Sequence, residues 1–199
     1  METPREVKDT LRCALETQRR KSLSAYTPAT VTLDPEKAHS SLVLSEDRKR
    51  VRRADTRQRR PSTQERFDTQ ACVLGSERFT SGRHCWEVEV GDGPFWAVGV
   101  ARECINREDR NSYNFHEKIW AVERWGDQFW ALTDPLTPLP LSQVPSRIWV
   151  CLDCDRGQVA FIDAAYEAPI YTFPAGSVSA QSIRPWFRVG QGSQLSLCP

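Results

Sequence analysis

Residues Arg83–Arg102 read RHCWEVEVGDGPFWAVGVAR, and the period of this stretch decides the fold. Trp86, Val88 and Val90 alternate with Glu87 and Glu89. That period of two puts apolar side chains on one face of a strand and carboxylates on the other. Gly91-Asp92-Gly93 then offers a tight turn, and the apolar run Phe95–Val100 has the length of a second strand. The stretch therefore predicts two strands paired around residues 91–93. His84 reads as a half-buried strand histidine, because a general base needs a nucleophile or an orienting partner beside it.

The same period recurs on either side. ATVTLDP (29–35) reads as a short strand ended by Pro35, and SSLVLSEDRKRVRR (40–53) as two strands around an acidic turn. KIWAVERWGDQFWALT (118–133), RIWVCLDCDRGQVAFID (147–163), PIYTFPAG (169–176) and IRPWFRVGQGSQLSLCP (183–199) continue the series, with Gly126-Asp127 as another hairpin turn. Many short strands with little helix between them predict an all-β antiparallel sandwich rather than a parallel α/β sheet. One helix is expected, at the N-terminus. Thr3-Pro4-Arg5-Glu6 has the form of a capping box, Val7, Leu11, Ala14 and Leu15 share a helical stripe, and TQRRKS closes it with cations.

Length and composition bound the rest. A chain of 199 residues is long enough for one well-filled domain, and a formal charge of +1 sets up no global field toward nucleic acid or membrane. No apolar run reaches the roughly 18 residues of a transmembrane helix, and the N-terminus METPREVKDT lacks the apolar core of a signal peptide. Seven cysteines, an odd number without framework spacing, point to free thiols in a reducing, cytoplasmic setting.

Cys151-Leu152-Asp153-Cys154 has the spacing of half a zinc site. Residues three apart on a strand face opposite ways, however, and a structural zinc needs four ligands. No second Cys-x-x-Cys is present, and His39, His84 and His116 lack ligand spacing. The pair is expected to be structural, with Asp153 and Asp155 capping the hairpin. No metal and no cofactor is expected. Neither a nucleophile elbow, a phosphate loop nor a dinucleotide fingerprint occurs, so an enzyme has no catalytic constellation here.

Trp86, Trp96, Trp120 and Trp149 lie in the most apolar runs and read as core. In IWAVERWGDQFW, Trp120 and Val122 share one face, while Ile119, Ala121, Glu123 and Trp125 share the other. If the Trp120 face is buried, Trp125 is either an exposed binding aromatic or a ring covered by a loop. The arginine-rich run 48–66, RKRVRRADTRQRRPSTQER, is either a phosphate-binding segment or a solvated edge whose charge discourages association. With no aromatic residue between Tyr26 and Phe67, it offers no platform for base stacking.

These runs, in order, carry a family resemblance. LVLSEDRKRV, ERFDTQACVLGSERFTSGRHCWEVEVGD, FWAVGVAR, IWAVERWGDQFWALT, VCLDCDRGQVAFID, IRPWF and the terminal LSLCP closely resemble the PRY-SPRY domain. That domain ends many tripartite-motif (TRIM) ubiquitin ligases and forms the cytoplasmic module of butyrophilins. The resemblance covers about residues 28–199. It implies a bent, concanavalin-like β-sandwich of two antiparallel sheets, with a PRY portion at 28–80, a SPRY portion at 81–199, and residues 1–27 as a helix leading from an upstream coiled coil. It also implies a non-catalytic role, in which a target protein or peptide is bound by variable loops corresponding to 53–66, 92–95, 104–117 and 123–128, with 188–192 nearby. Ubiquitin transfer would belong to an upstream RING domain. Cys85, Cys154 and Ile162 stand where the family usually has aromatic residues.

The expected partner site is Trp125 with Phe129 or Trp130, ringed by Glu123, Arg124, Gln128, Arg188 and Gln191. The alternative is an anion site for RNA or a phosphorylated small ligand at Arg53, Arg57, Arg59 and Arg60, with His84 or Arg102 assisting. The isolated domain is expected to be a monomer, and its parent a dimer through the coiled coil.

Overall fold

The computed structural model describes residues 23–54, 71–103, 118–179 and 182–199. Of the expected N-terminal helix at 1–27, residues 1–22 lie outside this set, as do Arg57, Arg59 and Arg60 and the loop 104–117, while Thr27 already belongs to a strand.

Fifteen strands run through the described residues. The first third of the chain gives β1 (Thr27–Pro28), β2 (Leu33–Ala38), β3 (Leu42–Leu44), β4 (Arg50–Arg53) and β5 (Cys72–Gly75). The middle gives β6 (Arg83–Glu89), β7 (Phe95–Arg102), β8 (Ile119–Trp125), β9 (Gln128–Ala131) and β10 (Thr137–Pro138). The last third gives β11 (Arg147–Asp153), β12 (Gln158–Asp163), β13 (Ala168–Phe173), β14 (Ile183–Val189) and β15 (Gln194–Leu197). One sheet has the order β13-β12-β11-β6-β15-β4-β3, with β1 beside β6; the other has the order β10-β9-β8-β7-β14-β5-β2. The pairings are antiparallel except for the two-residue β1–β6 contact.

The inner faces meet over Trp86, Val88, Val98, Val100, Trp120, Val122, Val150, Leu152, Phe161 and Phe187, all buried. Each such side chain contributes about 1.5–3 kcal/mol on burial, so this interface dominates the stability. A second buried cluster, with Cys72, Ala97, Ile119, Ala121 and Trp186, lies apart from it. Both faces of β8 are therefore covered as far as Glu123, which the alternation in IWAVERW did not reveal.

Three expectations are corrected. First, β6 and β7 do not pair with each other: β6 lies between β11 and β15, and β7 between β14 and β8. Residues 90–94 form a corner that carries the chain from one sheet to the other. A period of two fixes which face is buried and says nothing about the partner strand. Second, the strand expected at 29–35 is displaced to β2, with Pro35 inside it. β2 is an edge strand whose register to β5 slips between Leu33 and Ala38, and such a place tolerates proline. Third, Trp149 is half-buried rather than core, because it alternates with the buried Ile148 and Val150 and points outward. Its Nε1 donates to Glu87 Oε2 at 2.7 Å.

The Cys151–Cys154 segment behaves as strand and turn. Cys151 opposes Cys85 on β6, while Cys154 begins the turn and packs partly buried against the core. Asp153 Oδ1 accepts the Arg156 N–H at 3.0 Å and caps the hairpin. Asp155 Oδ1 instead accepts the Gly82 N–H at 3.0 Å and ties this turn to a neighbouring one.

Candidate functional site

β8 and β14 end, and β7 begins, at the same edge of the sandwich, where Phe95 opposes Trp125 and Trp96 opposes Val189. This register leaves a shallow groove of about 400 Å³. Phe95, Trp96, Ala71 and Val189 supply its apolar lining, Trp125 one wall, and Arg53, Arg124, Arg188 and Gln191 its polar rim. Gly190 makes the close approach possible. Its N–H donates to Phe95 O at 2.8 Å, and a Cβ there would lie 2.4 Å from the Phe95 Cβ.

Trp125 is 61% exposed, the most open tryptophan among the described residues. Its ring stands edge-on to Phe95, with centroids 5.0 Å apart and planes inclined at 62°. An aromatic side chain held in this way offers a large apolar area with little rotamer freedom left to lose on binding. The tight turn that follows it uses Gly126, at φ 64°, the left-handed conformation that suits glycine.

The cations around the groove are anchored to different degrees. Arg124 donates through Nε to Gly126 O at 2.9 Å and through Nη1 to Asp92 O and Gly93 O at 3.3 and 3.2 Å. It also lies over the Phe129 ring, 5.7 Å from the centroid. Arg188 forms an ion pair with Glu123. Both oppose Ala97 in the register, and that small residue leaves the space between them clear. Burial pushes the Arg188 guanidinium below its ordinary pKa, yet an arginine so placed keeps its charge. Arg53, at the end of β4, is exposed.

The predicted residues are thus only partly gathered. Arg124, Trp125, Arg188 and Gln191 line one groove together with Arg53, which came from the alternative site. Gln128 is exposed beside Trp125, its partner across the hairpin, and Trp130 is half-buried opposite Glu123. Glu123 and Phe129 are 7% and 8% exposed. Glu123 therefore serves to hold Arg188, and Phe129 to support Arg124, rather than to face a ligand. His84 and Arg102 do not join Arg53. The His84 ring stacks on Phe79 at 4.4 Å with Nε2 against Ser81 O, and Arg102 Nη2 donates to Ser179 Oγ at 3.0 Å. The sequence reading did not assign the lining residues Ala71, Phe95, Trp96 and Val189 to the site, although Phe95 fell within the loop 92–95 and Val189 within 188–192.

Among the described residues, no group of three or more His, Cys, Asp or Glu is placed to hold a metal. No helix among them is long and apolar enough to cross a membrane. The groove combines an apolar wall, a buried floor and a guanidinium rim in which Arg124 and Arg188 are anchored.

Residues 31–79 match the PRY, or SPRY-associated, domain, and residues 83–199 match the SPRY domain. Butyrophilin subfamily 1 member A1 of Bos taurus is 46% identical over 171 residues, covering 85% of this chain and 32% of that protein. E3 ubiquitin-protein ligase TRIM15 of Sus scrofa is 46% identical over 170 residues, covering 84% of this chain and 36% of that protein. The chain spans about a third of the length of these curated relatives. The crystal structure of the TRIM65 PSpry domain superposes with a TM-score of 0.76 at 25% identity, over 92% of this chain and 95% of that one. With the SPRY match over more than half its length and the PRY match directly before it, the chain belongs to the PRY-SPRY family, non-catalytic interaction modules shared by TRIM proteins and butyrophilins.

Proposed function

We propose that this module recruits a protein target by seating an apolar side chain of that target against Trp125 and Phe95, with a carboxylate of the same segment at the arginine rim. The observation that carries this reading is the 61% exposure of Trp125 at the mouth of a groove whose other aromatic residues are fixed. An indole so placed gives affinity by desolvation, while the positive rim disfavours segments that bring a like charge to it. In a TRIM-type parent the captured protein would be the substrate presented to an upstream RING domain. A cytoplasmic setting fits the five free cysteines among the described residues. A monomeric domain carried by a coiled-coil dimer completes the proposal.

The test is capture of partners from cytosol by the wild-type chain and by Trp125→Ala, with a photo-crosslinker at Gln191 to report contact at the groove. Affinity is then measured on each purified partner. Loss of 2 kcal/mol or more, about thirtyfold, is expected for Trp125→Ala. A second reading rests on the convergence of Arg53, Arg124 and Arg188, a cationic rim for RNA or a phosphorylated small ligand. Partners retained by Trp125→Ala but released steeply by salt would favour that reading and overturn the first.

A further inference from the structure

Cys85 of β6 and Cys151 of β11 oppose each other directly in the antiparallel register, and their Sγ atoms are 2.6 Å apart. Directly opposed residues of antiparallel strands have Cα atoms about 4.5–5.5 Å apart. A disulfide joins Cα atoms about 4.4–6.8 Å apart. The two strands thus already hold the backbone geometry of a bonded pair. Access to the two sulfurs is unequal. Cys85 is half-buried and borders a cleft of about 270 Å³ with Tyr26, Trp149 and Cys198, on the outer face of the eight-stranded sheet. Cys151 is 1% exposed.

We propose that Cys85 and Cys151 are a dithiol site that exchanges with a small-molecule disulfide of the glutathione type, which enters through the cleft at Cys85. In the first step the Cys85 thiolate attacks one sulfur of the small disulfide. The S–S bond breaks, one small thiolate leaves, and a mixed disulfide remains on Cys85. In the second step Cys151 gives up its proton, attacks the Cys85 sulfur and expels the second small thiolate. Two protein thiols are oxidised, one disulfide is reduced to two thiols, and the two protons end on those thiols. The order follows from the geometry. The hydrogen bond to Cys85, together with burial, keeps Cys151 protonated above the ordinary thiol range, so the accessible sulfur attacks first and the buried one resolves.

Incubation of the intact chain with glutathione disulfide, followed by unreduced peptide mapping, tests this. The wild type should yield a Cys85–Cys151 linked peptide, and its Tm should rise by roughly 5–10 °C, as expected for a long closed loop in a domain of this size. Excess reduced glutathione should reverse both changes. Cys151→Ser should accumulate a glutathione adduct at Cys85, whereas Cys85→Ser should leave Cys151 unmodified. A wild-type map with glutathione stable on Cys85 and Cys151 still a thiol would overturn the proposal. So would a map with both sulfurs reduced while Cys154 or Cys198 carries the adduct. The wild-type map decides the matter even if a serine variant folds poorly.

Discussion

Glu123 and Trp125 stand two residues apart on β8, yet one is buried in an ion pair and the other is open to solvent. The difference arises because Glu123 lies opposite Ala97, two strands from Arg188, whereas Trp125 has passed the end of the covered sheet. Removing the two side chains should therefore act through different observables. Trp125→Ala should weaken the target while changing stability by no more than about 0.5 kcal/mol, as for surface positions generally; a binding isotherm and a thermal melt report the two effects. Glu123→Gln leaves the Arg188 charge without its carboxylate in a mostly buried place and should cost roughly 1–3 kcal/mol of stability. Adding Arg188→Gln should restore part of that loss, which a denaturant titration of the single and double variants would show. The sequence placed both residues at one site because charge beside an exposed aromatic reads as a rim. It could not show that the charge already had a partner 65 residues away.

At the scale of single elements, alternation in the sequence located nearly every strand but not the pairing. The β8–β9, β11–β12 and β3–β4 hairpins were legible because a glycine-bearing or acidic turn joins strands that pair locally. The β6–β7 corner looked the same in the sequence, since both strands turn an apolar face to one interior. The groove was legible only in part for the same reason. Arg53, Ala71, Phe95, Trp125 and Val189 come from five separate strands or strand ends, and long-range pairing alone brings them together. Gly99 on β7 shows how tightly that pairing is set: a Cβ there would lie 2.1 Å from Trp120 O and 2.6 Å from the Ala121 Cα. Gly99→Ala must push β8 away from β7, and a loss of about 1–3 kcal/mol or more is expected in a chemical melt.

For the molecule as a whole, the alkaline pH dependence of stability follows from partly buried thiols and Tyr26. Burial raises the Cys154 pKa from 9.0 to about 11, and it is also the first cause of the rise at Tyr26 and Cys198. A raised folded-state value means that the folded chain keeps protons the unfolded chain releases. The contribution is complete below pH 9 and, for Cys154, is lost progressively up to about pH 11. Melting temperature should fall across that window, and Cys154→Ala should make the decline shallower. At the acid end the Arg78 guanidinium holds the Glu103 carboxyl below its usual value. The topology carries a different consequence. β15, residues 194–197, lies between β6 and β4 in the eight-stranded sheet, so β3 and β4 reach the rest of that sheet through it. During synthesis the strands made early must wait, unjoined on that side, until residue 197 has left the ribosome. Until then the nascent chain carries an unpaired strand edge, and such an edge is a template for pairing with another chain.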